Sequence, residues 1–393
     1  VATRTGKGEQ SMSYLEYSTK YVPKGWRKIL HLNWGLLLLM ITVSGVGFLM
    51  LYSVSGGNFS QWAEPQIQRF GLGLSAMFII AMAPIWFWRN VSVVAYGLSI
   101  ILLLLVPVLG VSAGGAQRWI DLGFMRLQPS EISKITLVMV LAAYYDWLPL
   151  KRTSKPQWVL APVLLILAPS FLVIQQPDLG TALLLMTAGA GVMFFAGVHW
   201  GYFIGVITAG ATTVWAVFAS RGTENQLLKD YQYDRIDIFL DPSLAPLKEG
   251  YNFAQATIAL GSGGLTGKGF MQGTQTRLDF LPEKHTDFIF TTLAEEFGFL
   301  GTMSLLILYM LILAFCLTSA FQNRDRFAAL LTLGITLTFF LFFSVNMAMV
   351  TGLAPVVGVP LPLVSYGGTA MLVLLGAFGL VQSAHVHRPR GRS

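Results

Sequence analysis

NWGLLLLMITVSGVGFLMLYS, Asn33 to Ser53, carries no charged side chain over a length that crosses a bilayer. A helix of about 20 apolar residues spans a hydrocarbon core of roughly 30 Å. Working outward from this run, the same criterion marks nine further segments, near 67–88, 91–111, 129–149, 158–175, 179–197, 199–219, 288–318, 327–347 and 361–383. Bulk composition agrees, with 54% hydrophobic and 11% charged residues among 393. The expectation is an all-α integral membrane protein, a bundle of ten transmembrane helices forming one membrane domain from 33 to 383. The usual allowance of about 150 residues per domain assumes a water-soluble core and does not apply.

Lys and Arg in short loops set orientation. With the N-terminus inside, fifteen such cations fall in inner segments, and three, Arg69, Arg118 and Arg126, fall in outer ones. Both termini are therefore expected in the cytoplasm, as a tail over 1–32 and a basic tail over 384–393. Residues 1–11 carry no functional assignment, and no cleavable signal is visible because the first apolar run is long enough to span. One long polar segment, 220–287, is left on the outer face between the seventh and eighth spans and exceeds an ordinary connector. Within it, YNFAQATIAL (Tyr251 to Leu260) has helical apolar spacing, and GSGGLTGKG breaks the helix at Gly261. The expected form is a loop with short helices on the membrane surface.

Four polar constellations interrupt the apolar pattern. In LPEKHTDFIFTTLAEEFG (Leu281 to Gly298), Asp287 stands where the outer loop enters the eighth span, behind Lys284 and His285. A carboxylate at a membrane helix is costly and a functional candidate. Capping of the helix by Thr286 or Asp287 is the competing explanation. Glu295 and Glu296, deeper in the span, read as structural partners of buried cations or helix ends.

In GAQRWIDLGFMRLQPSEISK (Gly114 to Lys134), Pro129 suits a first helical position, and Glu131 and Lys134 stand one turn apart, spaced for an ion pair. Arg118 and Lys134 alternatively supply positive charge for a lipid diphosphate, with Trp119 as an interfacial anchor. Asp178 in QQPDLGTA reads as an N-cap. VVGVPLPLVSYGGTAM (Val356 to Met371) sets prolines and paired glycines at membrane depth, as a cavity wall or a close helix contact.

Other classes lose support. The net charge of +7 forms no basic face or nucleic-acid motif, so no nucleic acid is expected. GSGGLTGKG has Ser262 where a phosphate loop needs its first glycine, and Gly269 follows Lys268 where Ser or Thr belongs. Cys316 is the single cysteine, which excludes an intramolecular disulfide. His285, His385 and His387 lack zinc spacing.

Taken in order, GAQRW, QPSE, QPDLGTA, GSGG with GKG and GTQ, LPEKHTDFIF, AEEFG and PLPLVSYGG resemble the SEDS family (shape, elongation, division and sporulation proteins) across residues 30–387. PVVGVPLPLVSYGG is closer to elongation-type than to division-type members. The resemblance implies ten spans in the bacterial inner membrane and a periplasmic active side. It also implies polymerisation of lipid II into β-1,4 glycan strands during elongation. It further implies partners: a class B penicillin-binding protein that crosslinks the strands, and other membrane proteins of the elongation machinery.

Residue by residue, the family's essential aspartate matches Asp287, and its first motif block matches Trp119, Gln128, Glu131 and Lys134. Arg118, Lys284, His285 and Ser365 complete the candidate substrate contacts. No cofactor is assigned, with a divalent cation such as Mg as an alternative charge partner of the diphosphate. Two rivals stand beside the elongation polymerase, a lipid II flippase and a division-type polymerase. A scaffold role leaves intramembrane Glu131 and Lys134 unexplained.

Overall fold

The computed structural model describes residues 25–388 except 114, 115, 124, 224, 225, 228–232, 234–236, 238–248, 279, 281, 282, 356 and 357. Each of the ten predicted segments coincides with a helix. These are α1 (Trp34–Val54), α2 (Ala63–Met82), α3 (Ile85–Leu109), α4 (Pro129–Trp147), α5 (Pro156–Ile174), α6 (Leu179–Phe195) and α7 (Trp200–Ala219). The outer loop adds α8 (Glu249–Ser262) and the single turn α9 (Thr274–Arg277), before α10 (Ile289–Gln322), α11 (Arg326–Val350) and α12 (Gly368–Val386). Seven of these helices are long and apolar enough to cross a membrane, and α6 is apolar but shorter. The large apolar side chains left exposed, such as Leu38, Ile79, Val108, Phe171 and Trp215, are scattered over most of the long helices. This is what a lipid solvent permits.

Three boundaries depart from the sequence reading for physical reasons. Arg69 lies inside α2, not in a loop, because that helix begins at Ala63. Residues 361–367 are not helical: Pro360, Pro362 and Gly367 keep this stretch non-helical, and α12 starts only at Gly368 and runs on to Val386. Between α3 and α4 the chain forms a three-stranded antiparallel sheet, β1 (Gly110–Ala113), β2 (Ala116–Asp121) and β3 (Arg126–Leu127). Its strands are too short to announce themselves by alternation.

The bundle has two polar ends. At one, the Arg89 guanidinium bridges Asp146 at 3.2 Å and Asp325 at 2.5 Å, tying the start of α3 to the end of α4 and the start of α11. Arg326 donates to the Leu148 and Ala196 carbonyls there, at 2.7 and 3.3 Å. Asn33 caps α1 through Leu36 N and exchanges two hydrogen bonds with Gln382, joining α1 to α12. The other end gathers the sheet, the outer loop, the α5–α6 turn and the stretch before α12. The most extensive helix contact is α2 against α12, where Gly73 lets Leu375 approach.

The outer loop is fixed to α10 by a break in that helix. Gly298 takes φ +63°, a conformation that glycine adopts without strain, and interrupts the helical ladder. The loop supplies the missing partners: Phe299 N and Leu300 N donate to Gly264 O and Leu265 O, while Lys268 N and Gly269 N donate to Glu295 O and Glu296 O. The fully buried Glu295 carboxylate then accepts from Lys268 Nζ at 2.7 Å, from Thr274 N and Oγ1, and from Gln275 N. Ser53 donates to Glu296. Both glutamates are structural, as their depth suggested. Replacing Glu295 by Ala leaves two part-buried amides and a part-exposed lysine without this acceptor, a loss of roughly 1–3 kcal/mol. The purified Glu295→Ala protein is expected to melt well below wild type in detergent, and an unchanged melting temperature would refute the clamp.

Candidate active site

Asp287 lies in a turn, Glu283 to Phe288, that precedes α10. The turn is held by its backbone. Tyr366 N donates to His285 O at 2.9 Å, Ser365 Oγ donates to Thr286 O at 2.5 Å, and the Asn346 amide donates to Asp287 O at 3.0 Å. Asn346, fully buried on α11, also donates to Val359 O at 2.7 Å, and Leu361 N donates to Ser365 Oγ at 2.8 Å. The stretch from Val359 to Tyr366 is thus laced to three consecutive carbonyls of the Asp287 turn.

The side chain of Asp287 stays free of this lacing. α10 begins at Ile289 with Phe288 as its N-cap and no side-chain capping bond, so the capping explanation for Asp287 fails. Thr286 Oγ1 instead donates to Glu283. Among the described residues the Asp287 carboxyl takes part in no hydrogen bond or ion pair. Burial, and secondarily the negative charge of Glu283, raise its pKa to about 6. That value suits a group that must be ionised at neutral pH yet still hold a proton.

An aromatic wall stands beside the turn. The His285 ring stacks on Trp62 at 4.1 Å between centroids, and Tyr366 packs edge-on against Trp62 at 4.8 Å. Burial lowers the His285 pKa, favouring the neutral imidazole. The Arg69 guanidinium lies over the Tyr366 ring at 4.8 Å. Gln66, one turn earlier on α2 and fully buried, donates to Ser365 O and accepts from Gly367 N.

Beside this wall opens a small, mostly apolar groove, its lining including Glu131, Lys134, Phe342, Leu361, Ser365 and Gly367. Glu131 and Lys134 form the expected ion pair at 2.7 Å, and the ammonium also sits 3.7 Å from the centre of the Phe342 ring. Ser365 and Gly367 therefore connect the groove to the Asp287 turn.

The other predicted residues divide between site and frame. Lys284 is half-buried in the Asp287 turn. Gln128 occupies the N-cap position of α4 without a side-chain bond, and Trp119 lies on β2 opposite Val111. Arg118 donates to Gln176 O at 3.0 Å and to Pro177 O, and its guanidinium stands 3.7 Å from Asp178. Asp178 caps α6 through Thr181 N, as expected. Arg118 thus fastens the α5–α6 turn to the sheet.

Sequence reasoning did not single out Trp62, Gln66, Arg69, Asn346 or Tyr366. Tyr366 stood inside a quoted motif and Arg69 among three outer cations, which was the available signal. Among the described residues no group of three or more His, Cys, Asp or Glu side chains gathers in one place.

The chain is similar to known proteins over most of its length. The family described as Cell cycle protein, which groups FtsW, RodA and SpoVE, matches residues 32–390. Peptidoglycan glycosyltransferase MrdB of Escherichia coli K12 is 40% identical over 370 residues, covering 92% of this chain and 95% of the relative. The MrdB of Helicobacter pylori is 35% identical, covering 80% of each. A solved chain from a peptidoglycan synthase complex that coordinates polymerization and crosslinking superposes with TM-score 0.78 at 31% identity, over 90% of this chain and 97% of that one. The rod shape determining protein RodA of Thermus thermophilus superposes with TM-score 0.68 at 28% identity, over 92% and 98%. With the family match running almost end to end and these relatives covering most of the chain, the protein belongs to the FtsW/RodA/SpoVE family, the SEDS proteins of the sequence motifs.

Proposed function

We infer that the chain is a peptidoglycan glycosyltransferase of the bacterial inner membrane that polymerises lipid II during cell elongation. The single observation that carries the mechanism is the Asp287 carboxyl, uncommitted to the fold and poised at about pH 6. The 4-hydroxyl of an acceptor sugar attacks the anomeric carbon of a prenyl-diphosphate donor. The new C–O bond forms as the bond to the diphosphate oxygen breaks, the diphosphate leaves with that electron pair, and Asp287 takes the hydroxyl proton. Inversion turns an α-linked donor into a β-1,4 link. The apolar groove under Ser365 suits a prenyl chain, so that the diphosphate would lie near the aromatic wall.

Elongation is favoured over division because identity to E. coli MrdB, 40%, exceeds that to FtsW of another E. coli strain, 34%. A flippase places its site near the membrane midplane, whereas Asp287 lies at the polar end with the outer loop. The likeness to a synthase complex that couples polymerization to crosslinking supports a partner, a class B penicillin-binding protein anchored beside the bundle, and with it the other elongation proteins of the membrane.

The orientation we propose puts both termini in the cytoplasm and the Asp287 end outside, from the cation bias. A cysteine replacing the exposed Arg277 should react with an impermeant thiol reagent in spheroplasts, while one replacing Lys151 should be protected. The native Cys316 is buried and silent. The reverse labelling pattern would invert the topology.

For the chemistry, Asp287→Asn keeps size and polarity but removes the basic oxygen. Co-purified with the transpeptidase, the variant is expected to make glycan from lipid II roughly 100- to 10,000-fold more slowly than wild type. Wild-type strands from the mutant would remove Asp287 from the mechanism, and failure of the two proteins to co-purify would remove the partner.

A further inference from the structure

Of the cations the sequence offered to a diphosphate, two are engaged elsewhere. Lys134 holds Glu131, and Arg118 holds the α5–α6 turn. Arg69 differs. Its Nη1 is shielded from solvent and, among the described residues, has no hydrogen-bond partner. A buried donor without an acceptor is disfavoured and needs a reason.

The surroundings of Arg69 supply one. Its guanidinium is held over the Tyr366 ring and lies 3.8 Å from where a side-chain carbon on Gly368 would begin. Gly368 is the first residue of α12, whose first turn has no acidic residue and no capping side chain. Gln66 and Arg69 share one face of α2, and Gln66 locks that face to Ser365 and Gly367. Ser365 and Gly367 line the apolar groove, and Tyr366 N binds the Asp287 turn. Arg69 therefore stands over the Tyr366 ring beside the start of α12, next to the stretch whose Ser365 and Gly367 line the groove and whose Tyr366 N holds the Asp287 turn.

We propose that Arg69 is the diphosphate ligand of this site, binding a prenyl-linked diphosphate beside the groove through the accessible part of its guanidinium. The proposal rests on the polymerase reading and deepens it by naming the group that holds the leaving end of the donor. A guanidinium presents planar N–H donors that fit phosphate oxygens in pairs, and its charge stays fixed as the leaving group gains negative charge. The uncapped first turn of α12 adds main-chain N–H groups on the same side.

The test compares binding of undecaprenyl diphosphate and undecaprenol in matched detergent micelles, by thermophoresis of the full chain. Wild type is expected to prefer the diphosphate. Arg69→Gln should lose roughly 10- to 100-fold of that preference, while Lys151→Gln, at an exposed cation of the opposite polar end, keeps it. An Arg69→Gln protein with the wild-type preference overturns the proposal. Should that variant fail to fold, Arg69→Lys decides, since it retains a cation over Tyr366 without the planar fork. A weakened preference supports the assignment, and an undiminished one contradicts it. Arg69-dependent binding in a wild type that makes no glycan from lipid II would overturn the polymerase reading and leave the diphosphate site standing.

Discussion

The active end depends on one constraint: the stretch before α12 has no helical ladder of its own, so it pairs with the turn that carries Asp287. Non-helical backbone at membrane depth is tolerated only where its polar groups find partners in protein. Here those partners are the carbonyls of His285 and Thr286 and the side chains of Gln66, Ser365 and Asn346, the last of which also holds the Asp287 carbonyl. Because three consecutive carbonyls are taken up, the turn has little freedom to rotate. The carboxyl of Asp287 is left half-buried and without a protein partner among the described residues, and its partial burial raises its pKa and makes it available for a proton.

The outer loop applies the same rule in reverse. There the helix is broken at Gly298 and the loop supplies the partners, with the Glu295 carboxylate closing the junction. The two junctions meet on α10, one just before its first turn and one at its kink. That helix therefore joins the loop to the turn that carries Asp287. The loop glycines are small because they approach main chain, and a side-chain carbon on Gly263 would stand 2.0 Å from Ala294 O.

How much was legible in the sequence follows from range. Spans could be read because burial in lipid needs only a local apolar run, and local pairs such as Glu131 with Lys134 or Asp178 with Thr181 follow from helical spacing. Asp287 was visible as a carboxylate where none is cheap. Gln66, Asn346 and Arg69 were not, since their partners lie far along the chain, 299 residues away for Gln66 and Ser365. Arg118 looked like a free cation for the same reason: its acceptors are carbonyls, which no side-chain pattern reveals. The strands β1 to β3 were hidden by their brevity, and the tenth span was started too early because Leu361 and Leu363 are as apolar as helix residues.

The account turns on Asp287 acting as the base from a half-buried, uncommitted carboxyl. A carboxylate whose pKa is raised favours the folded state while protonated, an advantage lost as pH rises through the folded value. Its catalytic form is the ionised one. The direct measurement is the pH dependence of glycan polymerisation on lipid II by wild-type protein at limiting substrate. The account predicts an acid limb with its midpoint at about 6, activity falling tenfold per pH unit below it. A rate that stays level down to pH 4 would contradict it, because a carboxyl already ionised there is not the buried base described.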